Sequence, residues 1–254
     1  MKLVSWNVNS IKTRLPHVTT WLEKHQPDVL MLQELKGLEF PTEAFTAIGY
    51  QSAAVTQKSY NGVAILARHD IKVVCDKLPG DDEDAQARYL EADVNGVRVI
   101  DIYLPNGNPV DTEKFPYKLA WMERLRAHVA QLRRDEVSFA IGGDFNVIPE
   151  PEDCYDPKAW VNDALFRPES RAQFRALLHM GLTDALRAVN GAPRQYTYWD
   201  YQGNAWPANK GIRIDHFLLS PALADRLIDC TIDPEPRGQE QPSDHTPIMV
   251  EIAA

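Results

Sequence analysis

Apolar positions along the chain follow two periods. Short runs rich in β-branched residues recur at 3–8, 29–33, 62–66, 71–75, 89–94, 97–104, 137–141, 214–219 and 247–252, which predicts strands. Between them the spacing becomes helical. Leu15, Val18 and Leu22 form one stripe; Leu119, Met122, Leu125, Val129 and Leu132 form another over 117–134; Phe174, Leu177 and Leu178 form a third, which Gly181 ends. Asn95-Gly96 separates two strand runs and predicts a hairpin. Strands outnumber helices, and some neighbouring strands are joined by turns. The pattern therefore predicts a mixed-sheet α/β fold rather than a doubly wound parallel one. No low-complexity linker interrupts it, so 1–254 reads as one domain. Polar loops are expected at 80–84, 105–116, 149–163, 200–213 and 233–244; long loops in a compact domain usually carry function.

Composition narrows the class. Hydrophobic residues at 44% and charged residues at 25% exclude a disordered chain, a collagen-like chain and a disulfide scaffold. The apolar runs are too short to span a membrane, and the first strand begins at Leu3, so neither a span nor a leader peptide is expected. The three cysteines, Cys75, Cys154 and Cys230, form no CxxC pair. That argues against a thiolate zinc site and for a reducing cytoplasm. A net charge of −9 runs against the basic footprint of most nucleic-acid binders. Carboxylates gathered round a cation would lower the sum while a local basic rim still met phosphates.

Polar residues at the ends of apolar runs carry the chemistry. Asn7 shares a strand face with Ser5 and Leu3, while Val4, Trp6 and Val8 take the other. Glu34 closes the apolar run from Asp28; it is either a solvated loop residue or a ligand for a hard cation. Asp144 and Asn146 follow Gly142-Gly143, a pair of glycines that lets the backbone pass close to something. The bland alternative there is an Asx turn. Read as chemistry, the carboxylate takes a proton from water and the amide donates to the same oxygen. Asp215 interrupts an apolar strand and needs a partner, which an imidazole such as His245 of Ser243-Asp244-His245 supplies. Tyr103 stands where a strand runs into Leu104-Pro105-Asn106-Gly107. Each signal alone has a structural explanation; together and in this order they point to one site.

This ordered set resembles the exonuclease III family of abasic-site endonucleases, within the endonuclease/exonuclease/phosphatase superfamily. The resemblance runs nearly end to end: Ser5-Trp6-Asn7-Val8-Asn9, Gln33-Glu34-Leu35-Lys36, Tyr60-Asn61-Gly62, Gly80-Asp81-Asp82-Glu83, Tyr103 to Gly107, Gly142 to Asn146, Gly181-Leu182-Thr183-Asp184, Arg213-Ile214-Asp215 and Ser243-Asp244-His245. It implies a four-layered α/β sandwich, with two mixed sheets face to face and helices outside. It implies a DNA repair enzyme that cuts 5′ to abasic sites in duplex DNA and trims or dephosphorylates blocked 3′ ends; a monomer is the plain expectation.

Roles follow position by position from the resemblance. Asn7, Glu34, Asp144, Asn146, Asp244 and His245 would surround Mg²⁺ or Mn²⁺. Asp144 would orient or deprotonate the attacking water and Asn146 would hold it. His245, oriented by Asp215, would donate to the phosphate, and Tyr103 would contact the phosphate or assist the leaving oxygen. Lys36, Lys58, Asn61, Arg88, Asn106, Lys114, Lys118, Lys210 and Arg213 are candidate DNA contacts. Tyr198, Trp199, Ile212 and Ile214 would wall a pocket for a base-free sugar. Ile212 and Asn9 stand where some relatives carry Trp and Asp. Two other readings compete: a different superfamily phosphoesterase, acting on inositol phosphates, sphingomyelin or DNA without specificity, and a non-catalytic nucleic-acid-binding regulator, which would be expected to lose the acids.

Overall fold

The computed structural model describes residues 1–253. Its strands are β1 (Lys2–Asn7), β2 (Val29–Gln33), β3 (Gln51–Val55), β4 (Val63–Ala67), β5 (Ile71–Cys75), β6 (Tyr89–Val94), β7 (Val97–Tyr103), β8 (Phe139–Asp144), β9 (Thr183–Asp184), β10 (Asp215–Leu219), β11 (Leu227–Ile232) and β12 (Ile248–Ile252). The helices are α1 (Ile11–His25), α2 (Thr42–Thr46), α3 (Lys114–Arg134), α4 (Pro157–Trp160), α5 (Pro168–His179), α6 (Ala185–Val189) and α7 (Pro221–Ala224). Each predicted stripe lies on a long helix. Ser10 caps α1 through its hydroxyl, and Gly181 turns to φ +91° just beyond α5. No helix among the described residues is long and apolar enough to cross a membrane.

The strands form two six-stranded sheets, in the orders β11-β12-β1-β2-β4-β3 and β5-β6-β7-β8-β10-β9. Each sheet is mixed, with one parallel pair, β1–β2 or β7–β8, among antiparallel ones. The alternation in β1 sorts its side chains as expected. Leu3 joins Val29, Met31 and Ile65 against Leu90, Val99 and Phe217 of the facing sheet. Val4 and Trp6 instead pack with Leu30 and Leu32 under Val18, Trp21 and Leu22 of α1. On the opposite outer face, Trp121, Leu125 and Val129 of α3 and Phe174 and Leu177 of α5 cover Ile100, Ile102, Phe139 and Ile141. The layers run helix, sheet, sheet, helix: the four-layered α/β sandwich.

Three strands lie outside the predicted runs. β3 and β11 are sheet edges with partly exposed faces, so small and polar residues dilute their apolar alternation. β9 is two residues long and is defined by its pairing with β10. β8 continues past 141 through the paired glycines to Asp144. A Cβ on Gly143 would stand 2.0 Å from the Ile102 carbonyl oxygen, and one on Gly142 would stand 2.6 Å from the Phe217 ring. The glycines therefore let the backbone pass close, as expected, and what it passes is Ile102 and Phe217 of the neighbouring strands.

The topology creates one functional rim. β1, β2, β7 and β8 deliver their carboxyl ends there; β10 and β12, antiparallel to β8 and β1, deliver their amino ends. Register places both Tyr103 and Asp215 opposite Asp144 on neighbouring strands.

Candidate active site

Glu34 follows β2 directly and takes φ 55°, and Asn146 takes φ 47° just past β8. A left-handed backbone costs a residue with a Cβ on the order of 1–2 kcal/mol. Neighbouring hydrogen bonds hold it at Glu34: Leu35 N–H donates to Gly62 O and Lys36 N–H to Asn61 O. The strain turns the Glu34 carboxylate toward Asn7 and Asp144. Such outliers gather where geometry is enforced for function.

Asn7 joins the two acids. The Asn9 backbone N–H donates to Asn7 Oδ1 at 3.0 Å, and because that N–H can only donate, it fixes which way the amide faces. Asn7 Nδ2 then donates to Glu34 Oε1 at 2.9 Å and to Asp144 Oδ2 at 3.0 Å. Asn7 was expected among the cation ligands; here its oxygen is turned away, and its N–H groups hold the carboxylates together. Glu34, Asp144 and His245 each offer a ligand atom, all within 4.8 Å of one another.

His245 Nδ1 lies 2.8 Å from Asp215 Oδ2, and its Nε2 lies 3.8 Å from Asp144 Oδ2. Burial opposes charging the ring, but Asp215 and Asp144 outweigh it and lift its pKa to about 10. The imidazolium is thus the resting form, with Nε2–H facing the cleft. Asp144 moves the other way from an ordinary carboxylate: burial, with Asp215 and Glu34 nearby, raises its pKa against the pull of His245. Glu34 stays low despite burial, because the Lys36 ammonium sits 2.7 Å away. Burial, Glu34 and Asp144 keep the Tyr103 phenol protonated. Asn146 donates its backbone N–H to Asp144 Oδ1 (2.9 Å) and its amide to Leu104 O (2.8 Å), and accepts from Asn106 Nδ2 (3.2 Å). One amide N–H and one lone pair remain for the cleft. Asp244 accepts from Asn9 Nδ2 at 3.0 Å.

Glu34, Tyr103, Asp144, Asn146, Asp244 and His245 line a cleft of about 280 Å³ that also includes Asn106, Asn108, Trp160, Asp163, Leu165, Tyr198 and Ile214. A cavity on one side shares Asn106 and Asn108 with it and adds Arg88, Lys114 and Tyr117. A cavity on the other side shares Trp160 and Tyr198 and adds Tyr155, Lys210 and Ile212. Asn108, Trp160, Asp163 and Leu165 were not anticipated; the only signal was the length of the loops 105–116 and 149–163, which carry the first three.

Several expected contacts lie elsewhere. Arg213 is 1% exposed and ion-paired with Asp153 (2.7 Å) and Asp184 (2.9 Å), so it cannot reach DNA. Lys118 is fully buried beneath the rim, donating to the carbonyls of Asn106 and Asn146, and burial pushes its pKa down to about 7. Asn61 is buried and spends its amide on Gln57 and Gln86, shaping the rim loop from within. Trp199 is packed against Tyr196 and Trp206, with its indole N–H on Asn209 Oδ1 at 3.1 Å. It belongs to the core, and the expected sugar pocket is divided: Ile214 faces the central cleft, Ile212 the side cavity, and Tyr198 both. Arg88 lies over the Tyr103 ring at 4.8 Å. Lys36 is engaged by Glu34 and Asn9.

The sequence model of the endonuclease/exonuclease/phosphatase family matches residues 4–245. The chain is 35% identical over 266 aligned positions to exodeoxyribonuclease III of Haemophilus influenzae, covering 99% of this chain and 100% of that one. It superposes on the Neisseria 3′ phosphatase NExo, solved bound to a product DNA hairpin, with a TM-score of 0.97 at 41% identity. An AP endonuclease from Archaeoglobus fulgidus gives 0.96 at 36% identity, and both matches cover each chain completely. With strand-end acids, amide and imidazole gathered on one rim of a four-layered sandwich, the chain belongs to the endonuclease/exonuclease/phosphatase family.

Proposed function

We propose that this protein is a divalent-metal-dependent DNA repair hydrolase. In this reading it cuts the phosphodiester bond 5′ to abasic sites in duplex DNA and clears blocked 3′ ends as exonuclease and 3′ phosphatase. One observation carries the reading: the Glu34–Asn7–Asp144 bridge and the Asp215–His245 pair meet at one cleft, which Glu34, Asp144 and His245 line. The activities for which the relatives are named, exodeoxyribonuclease III, 3′ phosphatase and AP endonuclease, support this reading.

The donor set fits a hard cation. Glu34 and Asp144 offer carboxylate oxygens close together, and the raised proton affinity of Asp144 marks negative charge awaiting neutralisation. Glu34 and Asp144 would hold the cation, with the His245 ring beside them. Bound Mg²⁺ or Mn²⁺ would supply charge neutralisation at the phosphoryl group and a more acidic water.

The chain's own groups do the rest. Ionised Asp144 accepts the proton of the attacking water, and the free amide N–H of Asn146 aims that water. His245 Nε2–H donates to a phosphoryl oxygen, where negative charge builds as the water oxygen bonds to phosphorus. The bond from phosphorus to the 3′ oxygen breaks opposite the attack, and the protonated Tyr103 hydroxyl donates its proton to the departing oxygen. Phosphates beyond the scissile one meet Arg88 and Lys114 on one side and Lys210 on the other. Local cations thus offset the overall charge of −9.

The test is product analysis on end-labelled duplexes carrying an abasic site or a 3′ phosphate, with Mg²⁺ or with EDTA, beside an inositol phosphate. Cleavage of the DNA substrates only with the metal is expected. Turnover of inositol phosphate alone, or a rate indifferent to EDTA, would overturn the reading.

A further inference from the structure

Thr197 lies between the two chain segments that bear Asp215 and His245, and it is completely buried. Its Oγ1 accepts from two successive backbone N–H groups, those of Ile214 and Asp215, each at 3.1 Å. Its carbonyl accepts the Thr246 N–H at 2.8 Å, and its own N–H donates to Ile212 O at 3.0 Å. The following residue, Tyr198, forms a β-bridge with His245 and packs its ring edge-on to the imidazole at 5.0 Å. One residue is thus tied to Asp215 itself and to the neighbour of His245.

The double acceptance has a geometric meaning. Along a regular strand, successive N–H groups point to opposite sides. The convergence of two of them on one hydroxyl requires a bend at 214–215, where β10 begins. That bend sets the direction of the Asp215 side chain. The carboxylate has little else to orient it: Oδ2 meets His245, and Oδ1 is buried without a hydrogen-bond partner among the described residues.

We propose that Thr197 is the positioning residue of the Asp215–His245 pair. Its hydroxyl holds the bend that aims Asp215 Oδ2 at His245 Nδ1, and its carbonyl anchors the segment that presents the imidazole. The role rests on the catalytic reading given above.

The test compares Thr197→Val, which keeps the shape and removes the acceptor, with Thr197→Ser, which keeps the acceptor. Two readouts are taken: turnover on a 3′-phosphate duplex with Mg²⁺, and the downfield proton resonance of the His245 Nδ1–H, recorded without substrate or metal. For T197V, kcat falls about 10- to 100-fold with KM within twofold, as expected for a misaimed group, and the resonance shifts or broadens away. T197S retains kcat within about threefold and keeps the resonance. An unmoved resonance and wild-type kcat in T197V would overturn the proposal, leaving Thr197 a packing residue. So would a loss in T197S equal to that in T197V. Should T197V fail to fold, the serine variant still decides, since its defect alone contradicts a role for the hydroxyl. Should the wild-type enzyme cleave neither DNA substrate while the resonance still responds in T197V, the positioning stands and the substrate reading falls.

Discussion

Arg213 and Asp215 stand two residues apart, both buried, in charge clusters of opposite character. Around Arg213 the charges close on themselves. Its guanidinium reaches both oxygens of Asp153 and both of Asp184, and Arg187 also pairs with Asp153. Burial alone would raise the Asp153 pKa, but the two arginines hold it below the ordinary value. His216 completes the cluster as a neutral ring, accepting from Arg213 at Nδ1 (3.0 Å) and donating from Nε2 to Val147 O (2.9 Å). Around Asp215 the charges do not close. Among the described residues, Glu34, Asp144, Asp215 and Asp244 find ion-pair partners only in Lys36 and His245, and Asp144 is driven toward protonation. The first cluster is complete as folded and braces the strand. The second holds excess negative charge, which suits a cation and a phosphate.

The comparison breaks most visibly at turnover. Asp144→Asn and His245→Ala should each lower kcat on a 3′-phosphate duplex by about 10³-fold or more while duplex binding persists. The thermal midpoint of D144N should hold or rise, because a crowded like charge is removed. A clear drop in its midpoint would mean that the open cluster is structural after all.

Arg213→Met attacks the closed cluster and should do the reverse. It strands buried carboxylates and should cost about 3–5 kcal/mol in urea denaturation, with a smaller effect on turnover per folded molecule. A loss below about 1 kcal/mol would contradict the bracing role assigned to the pairs.

A pH series sharpens the same point. Burial, then Arg213, hold the His216 pKa down to about 4, against an ordinary 6.5. The unfolded chain therefore takes up this proton first as the pH falls. Stability is intact above about 6.5 and is lost progressively down to about 4, by about 3 kcal/mol in all. Urea midpoints between pH 7 and 4.5 measure it, and His216→Gln should flatten that part of the slope. A wild-type slope retained in the variant would assign the proton elsewhere.

The smallest effects belong to the rim. Lys114→Ala and Lys210→Ala should each weaken duplex binding modestly and reduce the slope of log affinity against log salt by about one. An unchanged slope would remove that lysine from the phosphate track.

Much of the fold was legible in the chain because period and burial coincide there. The 3–8 run divides between two layers as its alternation requires, and the stripe from Leu119 to Leu132 lies on α3. β3 and β11 were illegible because small and polar residues dilute their alternation, whereas β5, equally a sheet edge, showed itself through Ile71, Val73 and Val74. The site was legible through strand-end polar residues, which stand out against apolar runs. Residue type could not tell where a cation or an aromatic ring ends up. Arg213, Lys118 and Trp199 have the chemistry of DNA contacts, and all three are buried: the two cations against partners distant in sequence, Trp199 among Tyr196, Trp206 and Asn209 of its own loop. The direction of the Asn7 amide was equally hidden, since one backbone N–H of Asn9 decides it.

By itself the sequence determined the mixed α/β class, the order of the acids, amide and imidazole, and the family resemblance that implied four layers, because local periodicity and ordered motifs are properties of the chain as written. The tertiary structure decided which charges neutralise one another and which are left facing a cleft. That division depends on distances of a few ångströms between residues tens to hundreds of positions apart, and Coulomb energies and desolvation respond to those distances, not to separation along the chain.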